Sequence, residues 1–170
     1  MFTLIIGGAG SGKSAFAERL VQSLPGDRVY IATMQPFDEE CRRRIERHRA
    51  MRSGKGFATL ERYTDLAGLT IPEKRNVLLE DLSNLIANEL YSPDGRGGYA
   101  ALQGVEAVLR RAAHLTVVTN EVFSGGTDYE GDPLGFLRTL ARINNTLAAE
   151  ADTVAEIVCG IPNVLKGEIP

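Results

Sequence analysis

Cysteine, histidine and long apolar runs are all scarce in this sequence, and the shortages exclude several classes of protein. The two cysteines, Cys41 and Cys159, are far apart and lack metal-ligand spacing, which favours reduced thiols over a disulfide or a zinc site. No apolar run is long enough to span a bilayer. The first apolar strand begins at the N-terminus, which leaves no room for a signal peptide. We therefore expect a cytoplasmic protein without a membrane span.

The charge balance gives no general reason to expect a large anionic partner. The net charge is -3, which does not favour binding to nucleic acid or to an anionic membrane. The arginine-rich segment 42–55 is an exception, but no aromatic residue is interleaved with its basic residues. Stacking on bases is therefore not indicated, and we do not expect nucleic acid as a partner.

Strand-like apolar runs and amphipathic helical patterns alternate along the chain. This order predicts a single α/β domain over residues 1–170, with a mostly parallel sheet flanked by helices. The segment 38–52 begins with acids and continues with arginines, as the helix dipole favours, but it has little apolar surface. We expect it to form a protruding polar helix, and we expect segment 92–98 to be a disordered loop. Strand-like runs lie at 2–6, 29–33, 77–81, 115–119 and 153–159, with a weaker candidate at 57–63.

The most specific motif directly follows the first apolar run. Residues 7–14 read G-G-A-G-S-G-K-S and match the phosphate-binding pattern G-x-x-x-x-G-K-[ST] without a mismatch. Such a loop turns backbone N–H groups toward nucleotide phosphates, and the following helix adds the positive end of its dipole. Lys13 would then reach the β- and γ-phosphates, and the Ser14 hydroxyl would ligate Mg²⁺. The predicted phosphate site comprises Gly7, Gly8, Ala9, Gly10, Ser11, Gly12, Lys13 and Ser14.

A carboxylate pair, Glu80 and Asp81, ends the third clear strand. Phosphoryl transfer needs a carboxylate that fixes Mg²⁺ or its waters, and an apolar strand ending in an acid is its usual source. Both residues are therefore candidate metal ligands beside Ser14, although one of them could instead cap the helix that follows. Because ligands of open α/β sheets bind at the carboxyl ends of the strands, Thr33-Met34 and Asn120-Glu121 are expected at the same site.

The two histidines lie in different surroundings. His114 is at a helix-to-strand junction, where a structural role is expected. His48 shares a helix face with Cys41 and Ile45, which is typical of a packed imidazole. However, the segment 42–55 holds seven Lys or Arg residues and one acid. Such a field attracts phosphate, and a histidine within it can carry a phosphoryl or nucleotidyl group as a nucleophile. The spacing leaves both interpretations of His48 open.

Motifs along nearly the whole chain resemble those of one enzyme family. Besides the phosphate loop, the most specific stretches are Arg44–Arg49 with Arg52, around the histidine, and Thr119–Val122 at a strand end. In these stretches the chain resembles the bifunctional adenosylcobinamide kinase/adenosylcobinamide-phosphate guanylyltransferases of cobalamin biosynthesis. Further matches, in the same order as in the family, are Tyr30–Thr33, Thr59–Glu61, Leu78–Glu80, Arg142–Asn144 and the segment 160–167.

The resemblance implies a P-loop NTPase fold of the RecA-like type, usually as a homotrimer, and two successive reactions. The first phosphorylates the aminopropanol hydroxyl of adenosylcobinamide with GTP or ATP in the presence of Mg²⁺. The second transfers GMP from GTP to that phosphate through a histidine that carries GMP covalently. This histidine falls on His48, and Lys13 is the second catalytic residue. The family's nucleotide contacts fall on Gly7 to Ser14 and on Ala32, Thr33, Met34, Arg49, Ala50, Met51, Arg52, Glu61 and Glu80.

Three positions depart from the family pattern. Gly10 stands where arginine is usual, so one phosphate contact is missing or supplied elsewhere. The usual Asn-Glu-Val-Gly-x-Gly stretch reads Asn-Glu-Val-Phe-Ser-Gly-Gly at 120–126 and continues into an acidic loop. Asp81 falls at a position that varies within the family.

Two other functions remain open from the sequence. The first is a kinase that lacks guanylyl transfer, which would phosphorylate cobinamide without forming its GDP derivative. The second is a nucleotide-gated binding protein whose arginines grip RNA or DNA, and which would bind oligonucleotides in a salt-sensitive way.

Overall fold

The computed structural model describes residues 1–123 and 132–170, which form one seven-stranded sheet and five α-helices. The strand order is β3-β2-β4-β5-β1-β6-β7. Neighbouring strands are parallel, except that β7 is antiparallel to β6. The elements are β1 (Phe2–Gly7), α1 (Lys13–Ser23), β2 (Arg28–Ala32), α2 (Glu39–Arg52), β3 (Phe57–Glu61), a 3₁₀ turn (Leu66–Gly68), β4 (Asn76–Glu80), α3 (Leu82–Tyr91), α4 (Gly98–Leu109), β5 (His114–Asn120), α5 (Asp132–Glu150), β6 (Thr153–Val158) and β7 (Ile161–Lys166). This architecture confirms the predicted α/β sheet.

Both faces of the sheet are covered, and successive side chains of a strand enter different core layers. In β1, Leu4 packs in the layer that contains residues of α3, α4 and α5, whereas Ile5 packs with Ala17 and Val21 of α1. Burial on both faces explains why the central strands read as continuous apolar runs. Among the described residues, no helix combines the length and the apolar character needed to cross a bilayer.

The parallel strands bring four chain segments to one edge of the sheet. β1 ends at Gly7, β2 at Ala32, β4 at Glu80 and β5 at Asn120, and the paired register places these ends side by side. Open α/β sheets bind ligands at this edge. The expected convergence of the strand ends is therefore confirmed.

The sequence did not indicate β7, and it predicted segment 160–162 only as the end of the preceding strand. A tight turn at Cys159 and Gly160, both with positive φ (51° and 79°), reverses the chain. All six residues of β7 are exposed, so the strand has no buried face that would produce an alternating pattern. Pro162 is compatible with this position because β7 is an edge strand.

The prediction of a disordered loop at 92–98 is wrong. Glu89 is 1% exposed, and its carboxylate accepts the backbone N–H of Arg96 at 2.8 Å and that of Asp65 at 2.7 Å. The backbone N–H of Gly97 donates to the Glu89 carbonyl at 2.8 Å. A buried carboxylate that satisfies two backbone donors holds this glycine-rich turn in place, which composition alone did not reveal.

Candidate active site

The phosphate-binding loop forms one wall of a cavity of about 530 Å³ at the carboxyl edge of the sheet. Gly10 and Gly12 adopt φ values of 71° and 88°, which glycine reaches without steric cost. A Cβ on Gly10 would meet no atom of the described residues within 4 Å. Gly10, the position at which the family resemblance predicts arginine, therefore lies in an open, left-handed turn.

Lys13 lies inside this cavity and is 8% exposed. Its Nζ donates to the carbonyl of Gly8 at 3.0 Å, which folds the side chain back over its own loop. Burial lowers the pKa of Lys13, while the carboxylates of Asp81 and Glu80 oppose that shift. The ammonium group thus faces both the loop that would hold phosphates and the two acids at the end of β4.

Glu80 is buried at the base of the cavity, with 7% exposure. Burial raises the pKa of Glu80 to about 7, although the nearby Ser14 and Tyr30 hydroxyls favour its charged form. Its Oε1 lies 3.9 Å from Nδ1 of His48. Its Oε2 has no hydrogen-bond partner among residues 1–123 and 132–170. A buried carboxylate oxygen without a donor is the kind of atom that a cation would satisfy.

Asp81 has a partly structural role. Its Oδ1 accepts the backbone N–H of Asn84 at 2.7 Å and thereby caps α3, as one of the two interpretations predicted. Its Oδ2 faces Nδ2 of Asn120 at 3.5 Å. Burial raises the pKa of Asp81, and hydrogen bonding and Lys13 oppose the shift. Asp81 also lines the cavity, so its capping role does not remove it from the site.

The donor set fits Mg²⁺. The described residues contain no cluster of three acidic, histidine or cysteine side chains that could hold a metal by itself. Mg²⁺ does not require such a cluster, because it is usually held by one or two protein oxygens together with substrate phosphates and waters. The Ser14 hydroxyl, next to the unsatisfied Glu80 carboxylate, provides such oxygens.

His48 projects from α2 into the same cavity and is half-buried, with 30% of its side chain exposed. Burial is the largest influence on the pKa of His48 and lowers it, and the guanidinium groups of Arg52, Arg44 and Arg47 lower it further. The lowered pKa favours the neutral imidazole at pH 7. A neutral imidazole keeps one ring nitrogen free as a nucleophile.

Charged side chains stabilise both ends of α2. The Asp38 carboxylate caps the helix by accepting the N–H of Cys41 at 2.7 Å. Near the other end, the guanidinium of Arg52 lies 3.7 Å from the centre of the Tyr30 ring, and Arg52 is 7% exposed. Its Nε has no hydrogen-bond partner in the described part of the chain. This cation–π contact fixes the His48 end of a helix that has little apolar surface.

Two ion pairs support the same end of α2. Arg49 pairs with Glu61 at the end of β3, and both line the cavity. Just beyond the helix, Lys55 pairs with Glu18 of α1, which is 2% exposed. Because the Glu18 carboxylate is the buried partner of this pair, removing Lys55 would leave an uncompensated buried charge.

Most of the predicted site residues line this cavity. Those that do are Ala9, Gly10, Ser11, Gly12, Lys13, Ser14, Ala32, Met34, His48, Arg49, Arg52, Glu61, Glu80 and Asp81. Gly7 and Gly8 form the base of the loop, Thr33 is fully buried behind the wall, and Ala50 is exposed on α2. The side chain of Met51 and the acidic loop at 124–131 lie outside the described residues.

Sequence reasoning missed several lining residues. Asn120 was expected near the site from its strand end but was not assigned a role, and Arg44 and Arg47 were included only in the general basic field. No sequence pattern pointed to Tyr30 as a lining residue. A strand buried on both faces reads as a continuous apolar run, which does not reveal which side chains face a ligand. The missed lining residues are Ala15, Tyr30, Arg44, Ile45, Arg47, Asn84, Asn120 and Val122.

Replacing Gly7 with alanine should damage the loop, whereas the same change at Gly8 should not. A Cβ on Gly7 would lie 2.5 Å from Oγ of Ser11 and 2.9 Å from the backbone oxygen of Ile157. The second clash is with a strand backbone that cannot move aside, so we expect a loss of about 1–3 kcal/mol of stability together with weaker nucleotide binding. A Cβ on Gly8 meets nothing within 4 Å in the described structure. Thermal unfolding and nucleotide titration of both variants would check this, and equal behaviour would contradict it.

A glycine-rich loop between β1 and α1, with a lysine facing carboxylates at the end of β4, defines a P-loop nucleotide-binding protein. A prototypical ATPase from the type III secretion system of pathogenic bacteria shares this fold, with a TM-score of 0.52 and 12% identity over 91% of this chain and 50% of its own. The family model for cobinamide kinase / cobinamide phosphate guanyltransferase matches residues 3–165. The chain belongs to this enzyme family.

Three curated relatives are similar to this chain over almost its full length. The bifunctional adenosylcobalamin biosynthesis protein CobU of Escherichia coli is 35% identical, and that of Salmonella typhimurium is 33% identical; each alignment covers 98% of this chain and 100% of the relative. The corresponding protein CobP of Pseudomonas aeruginosa is 34% identical over 99% of both chains. These matches confirm the family resemblance drawn from the motifs.

Proposed function

We propose that this chain phosphorylates adenosylcobinamide with GTP or ATP and then transfers GMP from GTP to the new phosphate, which gives adenosylcobinamide-GDP. The observation that carries this proposal is that Lys13 and His48 line one cavity. A lysine suited to phosphoryl transfer and a neutral histidine suited to nucleotidyl transfer therefore share one nucleotide site. The family description names both activities, and the relatives are named as bifunctional.

In the kinase step, the loop N–H groups and Lys13 hold the phosphates while the acceptor hydroxyl attacks the γ-phosphorus. The new O–P bond forms as the bond to the β-phosphate oxygen breaks, and the hydroxyl proton passes to a carboxylate at the end of β4. Ser14 and Glu80 would hold Mg²⁺, which when bound neutralises charge on the phosphates. Lys13 contributes a fixed positive charge to the same oxygens.

In the guanylyl step, Nε2 of His48 attacks the α-phosphorus of GTP. A P–N bond forms, the bond to pyrophosphate breaks, and GMP remains on the histidine. The acceptor's phosphate oxygen then attacks the same phosphorus, and His48 is released as a neutral base. Glu80 faces the other ring nitrogen at 3.9 Å, which favours the tautomer with the proton on Nδ1. Arg49 and Arg52 line the cavity and would neutralise the triphosphate.

This proposal is tested with GTP labelled at the α-phosphate and Mg²⁺. We expect stoichiometric, acid-labile label on the protein, which adenosylcobinamide phosphate discharges as adenosylcobinamide-GDP. Protein without label would exclude the guanylyl step. Phosphorylation of adenosylcobinamide without either label or GDP product would leave a kinase alone.

The acid limb of self-guanylylation should have its midpoint below pH 6.5. The pKa of His48 is lowered from 6.5 by burial and by neighbouring arginines, and the neutral form is the nucleophile. The rate is therefore at its plateau above the lowered pKa and falls as protonation removes the nucleophile. Single-turnover labelling at low GTP reports the free enzyme. Titration of Glu80 would change the rates of both reactions. The ratio of the labelling rate to the kinase rate therefore reports the titration of His48. A midpoint of this ratio above pH 6.5 would contradict the assignment.

We also propose that the chain forms a homo-oligomer, with the trimer implied by the family resemblance. The edge strand β7 supports this, because its apolar residues are exposed: Ile161 is 69% exposed and Leu165 is 59% exposed. Val158 and Val164 extend the same exposed apolar region, with 52% and 43% exposure. An unpaired edge strand with this composition is a suitable contact for another copy.

A further inference from the structure

Thr33 makes three hydrogen bonds to the backbone of the acidic pair. Its N–H donates to the carbonyl of Glu80 at 3.1 Å. Its Oγ1 donates to the carbonyl of Asp81 at 2.7 Å and accepts the N–H of Asp81 at 2.7 Å. The register of β2 with β4 ends at Ala32 and Glu80. The Thr33 hydroxyl therefore replaces a backbone partner for Asp81, one residue beyond the last β2–β4 pair. At this point the directions of the Glu80 and Asp81 carboxylates are set.

Asn88 of α3 holds Thr33 from the other side. It is 5% exposed, and its Nδ2 donates to the carbonyl of Thr33 at 2.8 Å and to that of Tyr63 at 2.9 Å. The Tyr63 hydroxyl in turn donates to Glu61 at 2.9 Å, and Glu61 pairs with Arg49. One buried amide thus connects the acidic side of the cavity to its arginine side.

We propose that Thr33 and Asn88 are positioning residues that fix the directions of Glu80 and Asp81, and that the Thr33 side chain does not contact nucleotide. Thr33 is fully buried and lies outside the residues that line the cavity, although the family resemblance places it among the nucleotide contacts. The single hydroxyl proton of Thr33 is donated to the Asp81 carbonyl, and its oxygen accepts the Asp81 N–H, so the side chain has no donor left for a phosphate oxygen. The effect on turnover rests on the proposed function, whereas the effect on nucleotide binding does not.

The test compares Thr33→Val with Thr33→Ser. Valine keeps the shape of threonine but removes the hydroxyl, and serine keeps the hydroxyl. Thr116→Val is the matched control, because Thr116 is also fully buried and its Oγ1 has no hydrogen-bond partner in the described structure. Affinity for a fluorescent GTP analogue is measured with Mg²⁺ and with EDTA, and kcat and KM for GTP are measured in the kinase reaction.

For Thr33→Val we expect kcat to fall about 10- to 100-fold, as for other residues that orient metal-binding groups. Nucleotide affinity of Thr33→Val should fall in Mg²⁺ and stay unchanged in EDTA. In Thr33→Ser, kcat and the affinity in Mg²⁺ should both lie within about threefold of the unaltered protein. An equal loss of affinity in EDTA would overturn the proposal and make Thr33 a direct nucleotide contact. Behaviour matching Thr116→Val would also overturn it. Because the binding measurements require neither cobinamide nor guanylyl transfer, they remain decisive if the proposed function fails.

A measurement on the unaltered protein covers the case in which Thr33→Val does not fold. The Asp81 amide should exchange slowly with solvent deuterium, because it donates to a fully buried hydroxyl. Exchange as fast as that of an exposed turn amide would overturn the proposed arrangement.

Discussion

Replacing His48 with alanine is expected to abolish GMP labelling of the protein and the formation of adenosylcobinamide-GDP. The change removes the proposed nucleophile, so labelling should fall at least about 1,000-fold, to the level of the blank. The kinase step should remain within about fivefold of the unaltered protein, because the proposed mechanism holds the γ-phosphoryl group with the loop and Lys13 rather than with the imidazole. Labelling and phosphorylation are measured on the same preparation.

The other histidine supplies the matched control. His114 is 5% exposed at the start of β5, and its Nε2 lies 3.0 Å from Oγ1 of Thr3, at the sheet edge opposite the site. His114→Gln keeps a polar side chain there and should retain the label. If His48→Ala still carried acid-labile GMP, or if His114→Gln lost it without unfolding, His48 would not be the nucleophile.

Replacing Lys13 with methionine is expected to stop both reactions. Methionine fills the same space but removes the only charge that the loop itself brings to the phosphates. Loss of a cation that stabilises transferring phosphate groups should lower both rates about 100- to 10,000-fold. Burial lowers the pKa of Lys13, whereas Asp81 and Glu80 oppose that shift and its Nζ donates to the Gly8 carbonyl. Thermal unfolding of the variant checks that the loss of activity does not reflect a loss of fold.

Lys74→Met is the control for the loss of a lysine. Lys74 is exposed, precedes β4, and takes part in the fold through its backbone N–H, which donates to Arg111 at 2.9 Å. Both rates should be unchanged in this variant. A Lys13→Met protein that retained either reaction at more than about a tenth of its normal rate would show that another cation holds the phosphates.

The contrast between the labelling and kinase readouts separates the two chemistries in one cavity. His48→Ala should affect one of them and Lys13→Met both. This pattern is what a shared triphosphate site predicts, since the phosphates must be held in either reaction. Two separate nucleotide sites would instead leave labelling intact in Lys13→Met.

Much of the site was predictable because its signals are local. The eight-residue loop between a strand and a helix indicates a phosphate site by spacing alone, and a strand that ends in Glu80 and Asp81 indicates carboxylates at the sheet edge. The helix dipole and the Asp38 cap explain why a segment as polar as 38–52 forms a helix. The motif resemblance then favoured the nucleophile over the packed imidazole for His48, which spacing alone had left open.

Other features depend on contacts between distant residues, and no local pattern contains them. The closeness of His48 to Glu80 depends on how α2 is rotated about its axis. That rotation is set by the contact of Arg52 with the Tyr30 ring and by the ion pair of Lys55 with Glu18. The order of the turn at 92–98 depends on a single buried carboxylate, that of Glu89.

The sequence by itself determined the fold class, the phosphate loop, the carboxyl-edge location of the site and the family, because these follow from residue types at short, regular spacings. Only the tertiary structure decided which side chains face the cavity. Thr33 follows a strand that ends at the site, yet its hydroxyl turns inward to hold the backbone of Asp81. The physical reason is that side-chain direction at a strand end is set by the register of the whole sheet and by helix packing, which involve residues far apart in the chain.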